Sequence, residues 1–89
     1  MTVTIPKDPD ATLDYGRDWS DWLNGDVITA SQWTVPAGLT QETSSFTDTT
    51  TTVWLSGGTD GQTYTITNRI HTELGRTDER SMIIDVDER

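Results

Sequence analysis

Apolar and polar side chains alternate most regularly in the last third of the chain, over residues 63–71 and 80–87. Alternation with a period of two is typical of a β-strand that buries one face and exposes the other. Gly75 lies in the polar segment between the two runs and can adopt the positive φ that a tight turn requires, so the runs predict a β-hairpin. The residues predicted to face inward are Tyr64, Ile66, Asn68, Ile70, Met82, Ile84 and Val86.

A further strand is predicted over residues 26–35, but its apolar residues change phase. One extra residue in a strand moves every later side chain to the opposite face. A β-bulge near Ser31 would therefore bring both apolar pairs to the inner face. The pairs are Ile28 with Ala30 and Trp33 with Val35.

Residues 50–56 form another predicted strand, with Trp54 on the face opposite to Val53 and Leu55. The preceding residues 39–49 are polar and weakly patterned. Because sheet edges tolerate polar side chains on both faces, this segment is predicted to form one or two short edge strands.

Several short strands separated by turn signals predict an all-β fold, an antiparallel β-sandwich of about seven strands with one short helical turn. Two features resemble immunoglobulin and fibronectin type III domains. Tyr64 follows the turn at Asp60 and Gly61, as does the tyrosine whose phenol bonds to the backbone across the corner before the sixth strand. Trp33 lies where fibronectin type III domains have their second-strand tryptophan. The residues predicted to be critical to the fold are Trp22, Trp33, Leu55, Tyr64, Ile66 and Ile84.

The segment DYGRDWSDWLNGD, residues 14–26, combines large aromatic rings with several aspartates. Asp18 is a suitable N-cap, and Gly25 a suitable C′ residue, for a short helix between them. The rings either close the open end of the sandwich or remain partly exposed as contacts for another protein. We predict that Trp22 is buried and that Trp19 is partly exposed. Helical spacing would place four side chains on one side: Tyr15, Trp19, Trp22 and Leu23.

Residues 1–10 contain two prolines and are predicted to form an extended N-terminal arm, followed by a single sandwich domain over residues 11–89. Arms of this kind often become ordered only against a neighbouring molecule. The residues predicted to form a protein–protein interface are Trp19, Trp54, Val3 and Ile5.

Composition excludes several classes of partner. The chain has 89 residues, with 15 acidic and 6 basic side chains and a net charge of −9. A field of this sign repels phosphate backbones and anionic lipids, so neither nucleic acid nor a membrane is expected as a partner. The absence of cysteine excludes disulfides and Cys-containing zinc sites. The first residues lack the features of a signal peptide, so secretion by that route is not expected.

No motif indicates catalysis. His71 is the single histidine and lies on the predicted outer face, and no nucleophile elbow, phosphate-binding loop or HExxH motif occurs. Asp8, Asp10 and Asp14 are candidate calcium ligands, but they lack the spacing of an EF-hand. We therefore expect neither an enzyme nor a cofactor or metal site.

The order of four segments resembles the small tailed-phage proteins known as fiber-tail adaptors, which are single immunoglobulin-like sandwiches. The segments are DYGRDWSDWLNGD, ITASQWTVPAGLT, TTTVWLSGGTDGQTYTITNRI and GRTDERSMIIDV, and the resemblance extends from Asp8 to Val86. It implies a non-enzymatic virion component, made in the host cytoplasm and present in several copies about the particle axis. Its implied partners are other virion proteins of the portal, neck, tail or fibres.

A second hypothesis is a carbohydrate-binding β-sandwich module. In that case Trp54 and Trp19 would stack on the faces of sugar rings. An enzyme is the third and least supported class, since the chain offers no evident acid, base and nucleophile set.

Overall fold

The computed structural model describes residues 3–87, in which seven β-strands form two facing sheets joined by loops and one turn of helix. The four-stranded sheet has the order β1-β7-β6-β3, and the three-stranded sheet has the order β2-β5-β4. All neighbouring strands are antiparallel except β1 and β7. The predicted antiparallel sandwich is therefore confirmed. Its elements are β1 (Val3–Lys7), β2 (Leu13–Asp18), α1 (Ser20–Leu23), β3 (Ile28–Thr34), β4 (Leu39–Phe46), β5 (Thr50–Gly57), β6 (Thr63–Thr72) and β7 (Thr77–Val86).

The core lies between the sheets, where alternate side chains of each strand meet. In β6 the inward residues Ile66 and Ile70 are fully buried, whereas Thr65 and Arg69 on the opposite face are exposed. The larger apolar cluster consists of Tyr15, Leu39, Val53, Leu55, Ile66, Met82, Ile84 and Val86, with Ile5, Trp33, Val35 and Tyr64 packed against it. The smaller cluster consists of Trp19, Leu23, Ile28 and Ile70, with Trp22 packed against it.

A buried amide lies in the core and connects the two sheets. Asn68 of β6 has no exposed surface, and its Oδ1 accepts hydrogen bonds from Trp19 Nε1 at 3.0 Å and from Thr51 Oγ1 at 2.6 Å. Its Nδ2 donates to Ser31 Oγ and to the Gln32 carbonyl of β3, each at 3.0 Å. Since buried polar groups are costly unless they are satisfied, this network favours a single relative position of the sheets.

The N-terminal segment differs from the predicted arm. Residues 3–7 form β1, which pairs in parallel with β7 from Val3 opposite Met82 to Lys7 opposite Val86. The Lys7 side chain is buried, and its Nζ donates to three backbone carbonyls at 2.6 to 2.9 Å. The sandwich therefore begins before residue 11. Residues 1–2 and 88–89 of the predicted regions, and the Val3 side chain, lie outside the described part.

The predicted bulge in β3 occurs earlier than expected, between Ile28 and Ala30 rather than near Ser31. Ile28 and Trp33 then both face the interior, as predicted. Ala30 instead pairs with His71 on the outer face, and Ser31 points inward, where its hydroxyl reaches Asn68. The requirement to satisfy a buried amide explains why a serine, and not the alanine, occupies the inner position.

The predicted tyrosine corner is present. Tyr64 Oη accepts a hydrogen bond from the Thr59 amide at 3.0 Å. Hydrogen bonds with the side chain and the amide of Thr59 together lower the pKa of the phenol. The ring lies against Gly38, which has φ +103° and closes a turn through the bond from the Leu39 amide to the Pro36 carbonyl. A Cβ at Gly38 would lie 2.7 Å from the Tyr64 ring, so glycine is required there both for the backbone conformation and for space.

Replacing Asn68 by alanine should lower the free energy of unfolding by about 2–4 kcal/mol. The variant removes the buried partner of the Thr51 hydroxyl and of the Gln32 carbonyl, and it leaves the Trp19 indole with only its 3.3 Å hydrogen bond to Thr51 Oγ1. Urea denaturation measures the effect. Gln32→Ala is the matched control, because its side chain is exposed and only its backbone joins the network, and it should change stability by less than about 0.5 kcal/mol. Equal effects of the two substitutions would refute the structural importance of the network.

Gly38→Ala should destabilise the protein more than Gly61→Ala does. Both glycines have positive φ, +103° and +82°, but a Cβ at Gly61 meets nothing within 4 Å. Gly61→Ala should therefore cost only the backbone strain, about 1–2 kcal/mol. Gly38→Ala should add at least about 1 kcal/mol for the overlap with Tyr64. Thermal and urea unfolding of the two variants side by side measures that difference, and equal losses would contradict the close contact.

Candidate protein-interaction surfaces

The two tryptophans of the helical segment occupy the reverse of their predicted positions. Trp19 is only 2% exposed, whereas Trp22 is half-buried at the margin of the smaller cluster. The helix does not extend back to Tyr15, because β2 continues to Asp18 and Trp19 is the first residue after it. Trp19 therefore enters between the sheets, where Asn68 accepts its indole N–H. Its predicted role as an exposed contact is wrong.

The local sequence explains where α1 begins and ends. Trp19, not the predicted Asp18, occupies the N-cap, although the Asp18 carboxylate accepts a hydrogen bond from the Ser20 amide at 2.9 Å. That bond lowers the pKa of Asp18. Asn24 ends the helix with φ 47°, a left-handed conformation that asparagine tolerates better than most residues. Trp22 packs edge to face on Trp19, with ring centroids 5.6 Å apart.

Of the predicted contacts in the N-terminal segment, the Ile5 side chain is occupied within the fold. Ile5 is half-buried and packs against the larger apolar cluster. The backbone of Val3 pairs with Met82 in the sheet. Ile5 is therefore part of the sandwich and is not a free contact on a mobile arm.

Among the predicted interface residues whose side chains the structure describes, Trp54 is the exposed one. Its side chain is 40% exposed, while its neighbours Val53 and Leu55 are completely buried on the other side of β5. Trp54 lies opposite Asp14 of β2 and Thr43 of β4, at the middle of the outer face of the three-stranded sheet. We call this surface the acidic face, and its residues are Asp14, Gly16, Asp18, Thr40, Glu42, Thr43, Ser45, Thr50, Thr52, Trp54 and Ser56.

The acidic face owes its character to the sequence of its strands. Small threonine and serine side chains surround Trp54 and leave its ring accessible. The charged members are Asp14, Asp18 and Glu42, and the set includes no lysine or arginine. Glu42 is the extra residue at the irregularity between Gln41 and Thr43, and it accepts a hydrogen bond from Ser56 Oγ. The surface combines an exposed aromatic ring with negative charge.

The β4 segment forms one strand, at the edge of the three-stranded sheet. Of its eight residues only Leu39 is buried, which agrees with the polar character of the sequence. Phe46 at its end is 44% exposed.

A second candidate surface lies at one end of the sandwich, which we call the helical end. It is formed by α1, the β4–β5 turn (residues 47–49) and the β6–β7 turn (residues 73–76). Backbone hydrogen bonds hold these segments in place. The amide of Trp19, the residue before α1, donates to the Thr49 carbonyl at 2.8 Å, and the Glu73 amide donates to the carbonyl of Val27, the residue before β3, at 3.0 Å. Leu74 in the β6–β7 turn is 76% exposed, the largest value among the large apolar side chains described.

Sequence reasoning missed Leu74, because a single leucine in a polar turn gives no periodic signal. The signal that could have found Leu74 is its apolar side chain in an otherwise polar turn. Leu74 is the one large apolar residue in the segment from Glu73 to Glu79, which otherwise contains charged residues, a glycine and a threonine.

The buried carboxylate of Asp26 stabilises the β6–β7 turn through hydrogen bonds. Its side chain is 1% exposed, and its carboxylate accepts hydrogen bonds from Leu74 N at 3.2 Å and from Arg76 Nε at 3.0 Å. Burial alone would raise the pKa of Asp26, but the hydrogen bonds outweigh burial and hold the pKa below its ordinary value of 3.8. The donors are the Thr72 hydroxyl, the Val27 and Leu74 amides and the Arg76 guanidinium.

Arg76 completes the helical end. Its Nη2 donates to the Leu23 carbonyl at 2.7 Å, and its guanidinium carbon lies 4.3 Å from the centroid of the Trp22 ring. The cation therefore links the β6–β7 turn to α1 through Asp26, a carbonyl and an aromatic face. The guanidinium carbon of Arg80 likewise lies 5.2 Å from the centroid of the Trp19 ring.

Within residues 3–87, no group of three or more His, Asp or Glu side chains is placed to hold a metal ion. The predicted candidates Asp8, Asp10 and Asp14 are thus not part of such a group. In the same range, no helix is long and apolar enough to cross a bilayer.

The sequence matches, over residues 7–85, the protein family described as Gp77, podophage GP4 fiber-tail adaptor protein gp77. The fold is similar to the solution structure of the PKD domain from KIAA 1837 protein, with a TM-score of 0.56 and 18% sequence identity. That alignment covers 99% of this chain and 81% of the PKD chain, and at this identity it supports the fold alone. No curated protein matches the sequence.

Asp26→Asn should destabilise the protein at neutral pH and have a smaller effect in acid. Because the folded pKa of Asp26 lies below the unfolded value of 3.8, the stability due to its charge is complete above that value. It is lost as the pH falls through the lower folded pKa. Urea midpoints of wild type and variant should therefore differ most above about pH 5 and converge below about pH 3. Asp21→Asn, an exposed aspartate of α1, is the control. A difference that does not change with pH would contradict this role of the carboxylate.

Proposed function

We infer the function of this chain from its family, because the chain belongs to the podophage GP4 fiber-tail adaptor proteins. The family name describes a structural component of a phage virion. We propose that this chain connects neck or tail proteins of the particle to its fibres. Several copies, arranged about the particle axis, would do so without any chemical reaction.

The extent of the family match carries this proposal. Residues 7–85 run from the last residue of β1 to the penultimate residue of β7. The match thus includes both sheets, α1 and the turns of the helical end. It covers nearly the whole domain, except residues 3–6 of β1 and the last residue of β7, and is not a likeness of one short motif.

The acidic face supports docking onto a basic protein surface. Exposed tryptophan is among the residues most enriched at the energetic centres of interfaces, and arginine stacks favourably on its ring. Asp14 and Glu42 near Trp54 would attract such a cation. Complementary charge also raises the rate at which partners meet.

The overall charge favours assembly on a partner over assembly of free copies. Each chain carries a net charge of −9, so two free copies repel one another. A basic neck or tail protein removes this repulsion by neutralising the acidic face. The protein alone is then expected to be monomeric, and to form a ring only on the particle.

One of the two tryptophans that the carbohydrate-binding hypothesis requires is not accessible to a sugar. The hypothesis required Trp19 and Trp54 as exposed stacking surfaces, and Trp19 is 2% exposed with its indole N–H bound to Asn68. No geometric feature of the acidic face favours a sugar over a protein.

Deletion of the coding sequence from its phage should yield particles that retain heads and tails but lack fibres. Electron microscopy counts the fibres, and mass spectrometry of purified particles detects this chain. Wild-type protein supplied from a plasmid should restore both. Fully fibred particles without the chain would refute the proposal.

The same complementation tests the acidic face. Trp54→Ser should fold normally but restore fewer fibres, whereas Gln32→Ala, an exposed position on the opposite sheet, should restore the wild-type number. Salt should weaken docking of the wild-type protein, because exposed charge pairs are screened. Normal fibre counts with Trp54→Ser would exclude this face while leaving the adaptor function in place.

A further inference from the structure

We propose that Leu74 is a preformed apolar contact that inserts into a pocket of a different virion protein, and that a basic side chain lies at the rim of that pocket. This inference rests on the proposed adaptor function and adds a second surface and the chemistry of its partner. The contact is at the helical end, and Leu74 is not part of the acidic face.

Exposure alone does not carry this inference, since isolated apolar residues are common on protein surfaces. Leu74 differs from Phe46 and Leu13 in degree, with 76% of its surface exposed against 44% and 38%. It differs more in how its backbone is supported.

Every backbone N–H from Thr72 to Arg76 has a defined acceptor. Two of them leave the hairpin and donate to the β2–β3 connection, Glu73 to the Val27 carbonyl and Leu74 to the Asp26 carboxylate. In an isolated hairpin, amides at the tip would point to water. The remaining bonds are Thr72 N to Arg76 O at 2.9 Å, Gly75 N to Thr72 O at 3.0 Å and Arg76 N to Thr72 Oγ1 at 3.0 Å.

This support fixes the backbone at Leu74, and with it the direction of the Leu74 Cα–Cβ bond. The anchor is a buried carboxylate, and Arg76 holds the other side of the same turn through Asp26 and the Leu23 carbonyl. A turn that is ordered before binding loses little conformational freedom when a partner closes over it. A rigid turn that displays one large apolar side chain is therefore suited to fill a preformed pocket.

The charges around Leu74 indicate the rim of that pocket. Glu73 is exposed beside Leu74, whereas the Arg76 guanidinium is directed toward Asp26 and the Trp22 ring. The tip thus offers an apolar group next to a negative one. A second copy of this chain is disfavoured as the partner, because most of its basic side chains are already bound within the fold. Lys7 is buried, and Arg69, Arg76 and Arg80 each lie beside a carboxylate of the same chain. A lysine or arginine on a different protein would complement Glu73.

The experiment is a competition during assembly. Cells infected with phage that lacks this coding sequence express equal amounts of wild-type protein and of a variant distinguishable by mass. The ratio of the two in purified particles, divided by their ratio in the cells, gives the relative affinity. Leu74→Ser should be depleted about 10- to 100-fold, the factor expected when one buried leucine side chain is lost.

Leu74→Met is the matched control, because it keeps an apolar side chain of similar volume and should be incorporated nearly as well as wild type. Glu73→Lys, which reverses the charge at the rim, should be depleted as well. Melting temperatures of Leu74→Ser and Glu73→Lys should equal that of the wild type, which separates lost binding from lost folding.

Incorporation of Leu74→Ser at the wild-type ratio would overturn the Leu74 contact while the adaptor function stands. Incorporation of Glu73→Lys at the wild-type ratio would overturn the basic rim. If wild-type protein itself is absent from particles, both the adaptor function and this contact are refuted.

Discussion

The hydrogen bonds of one buried amide, Asn68, determine how the parts of this small domain fit together. The amide belongs to β6 of the four-stranded sheet, while Thr51, which donates to it, belongs to β5 of the three-stranded sheet. Trp19 brings the helical segment to the same oxygen. Apolar contacts permit small shifts at little cost, but hydrogen bonds depend on direction and distance. The network therefore restricts the relative position of the two sheets, and the position of α1, more than the apolar clusters do.

The same amide shows what could and could not be predicted from the sequence. Alternation in β6 placed Asn68 on the inner face next to Ile66 and Ile70, and the structure confirms that position. Periodicity does not reveal a hydrogen-bond partner that is distant in sequence. Trp19 and Trp22 lie three residues apart among aspartates, and neither hydropathy nor helical spacing decides which one enters the core. That choice depends on the point where β2 ends and on the acceptor that Asn68 supplies.

Other differences have equally local causes. The segment 3–7 is short, contains Pro6 and pairs in parallel with β7, so its partner is the last strand of the chain and no nearby pattern reveals it. Lys7 at its end is buried because three backbone carbonyls satisfy its ammonium group, an arrangement that its charge does not suggest. Strands β5 and β6, by contrast, were predictable because each carries a full alternation between a buried and an exposed face.

The cations of the chain are largely used within the fold, and this determines the character of the surface. Lys7 is buried, Arg76 is bound to Asp26, and Arg80 and Arg69 lie next to the carboxylates of Asp78 and Glu79. Carboxylates outnumber basic side chains within residues 3–87, and the acidic face is one result. The proposed contacts point in different directions, because a sheet face lies beside the strands and a turn lies at their ends. Asn68 joins the two sheets, and Asp26 joins the β6–β7 turn to the residues that follow α1, so a partner bound at Trp54 would constrain the position of a second partner bound at Leu74. A small domain with this property can act as a geometric link between two larger proteins without any moving part.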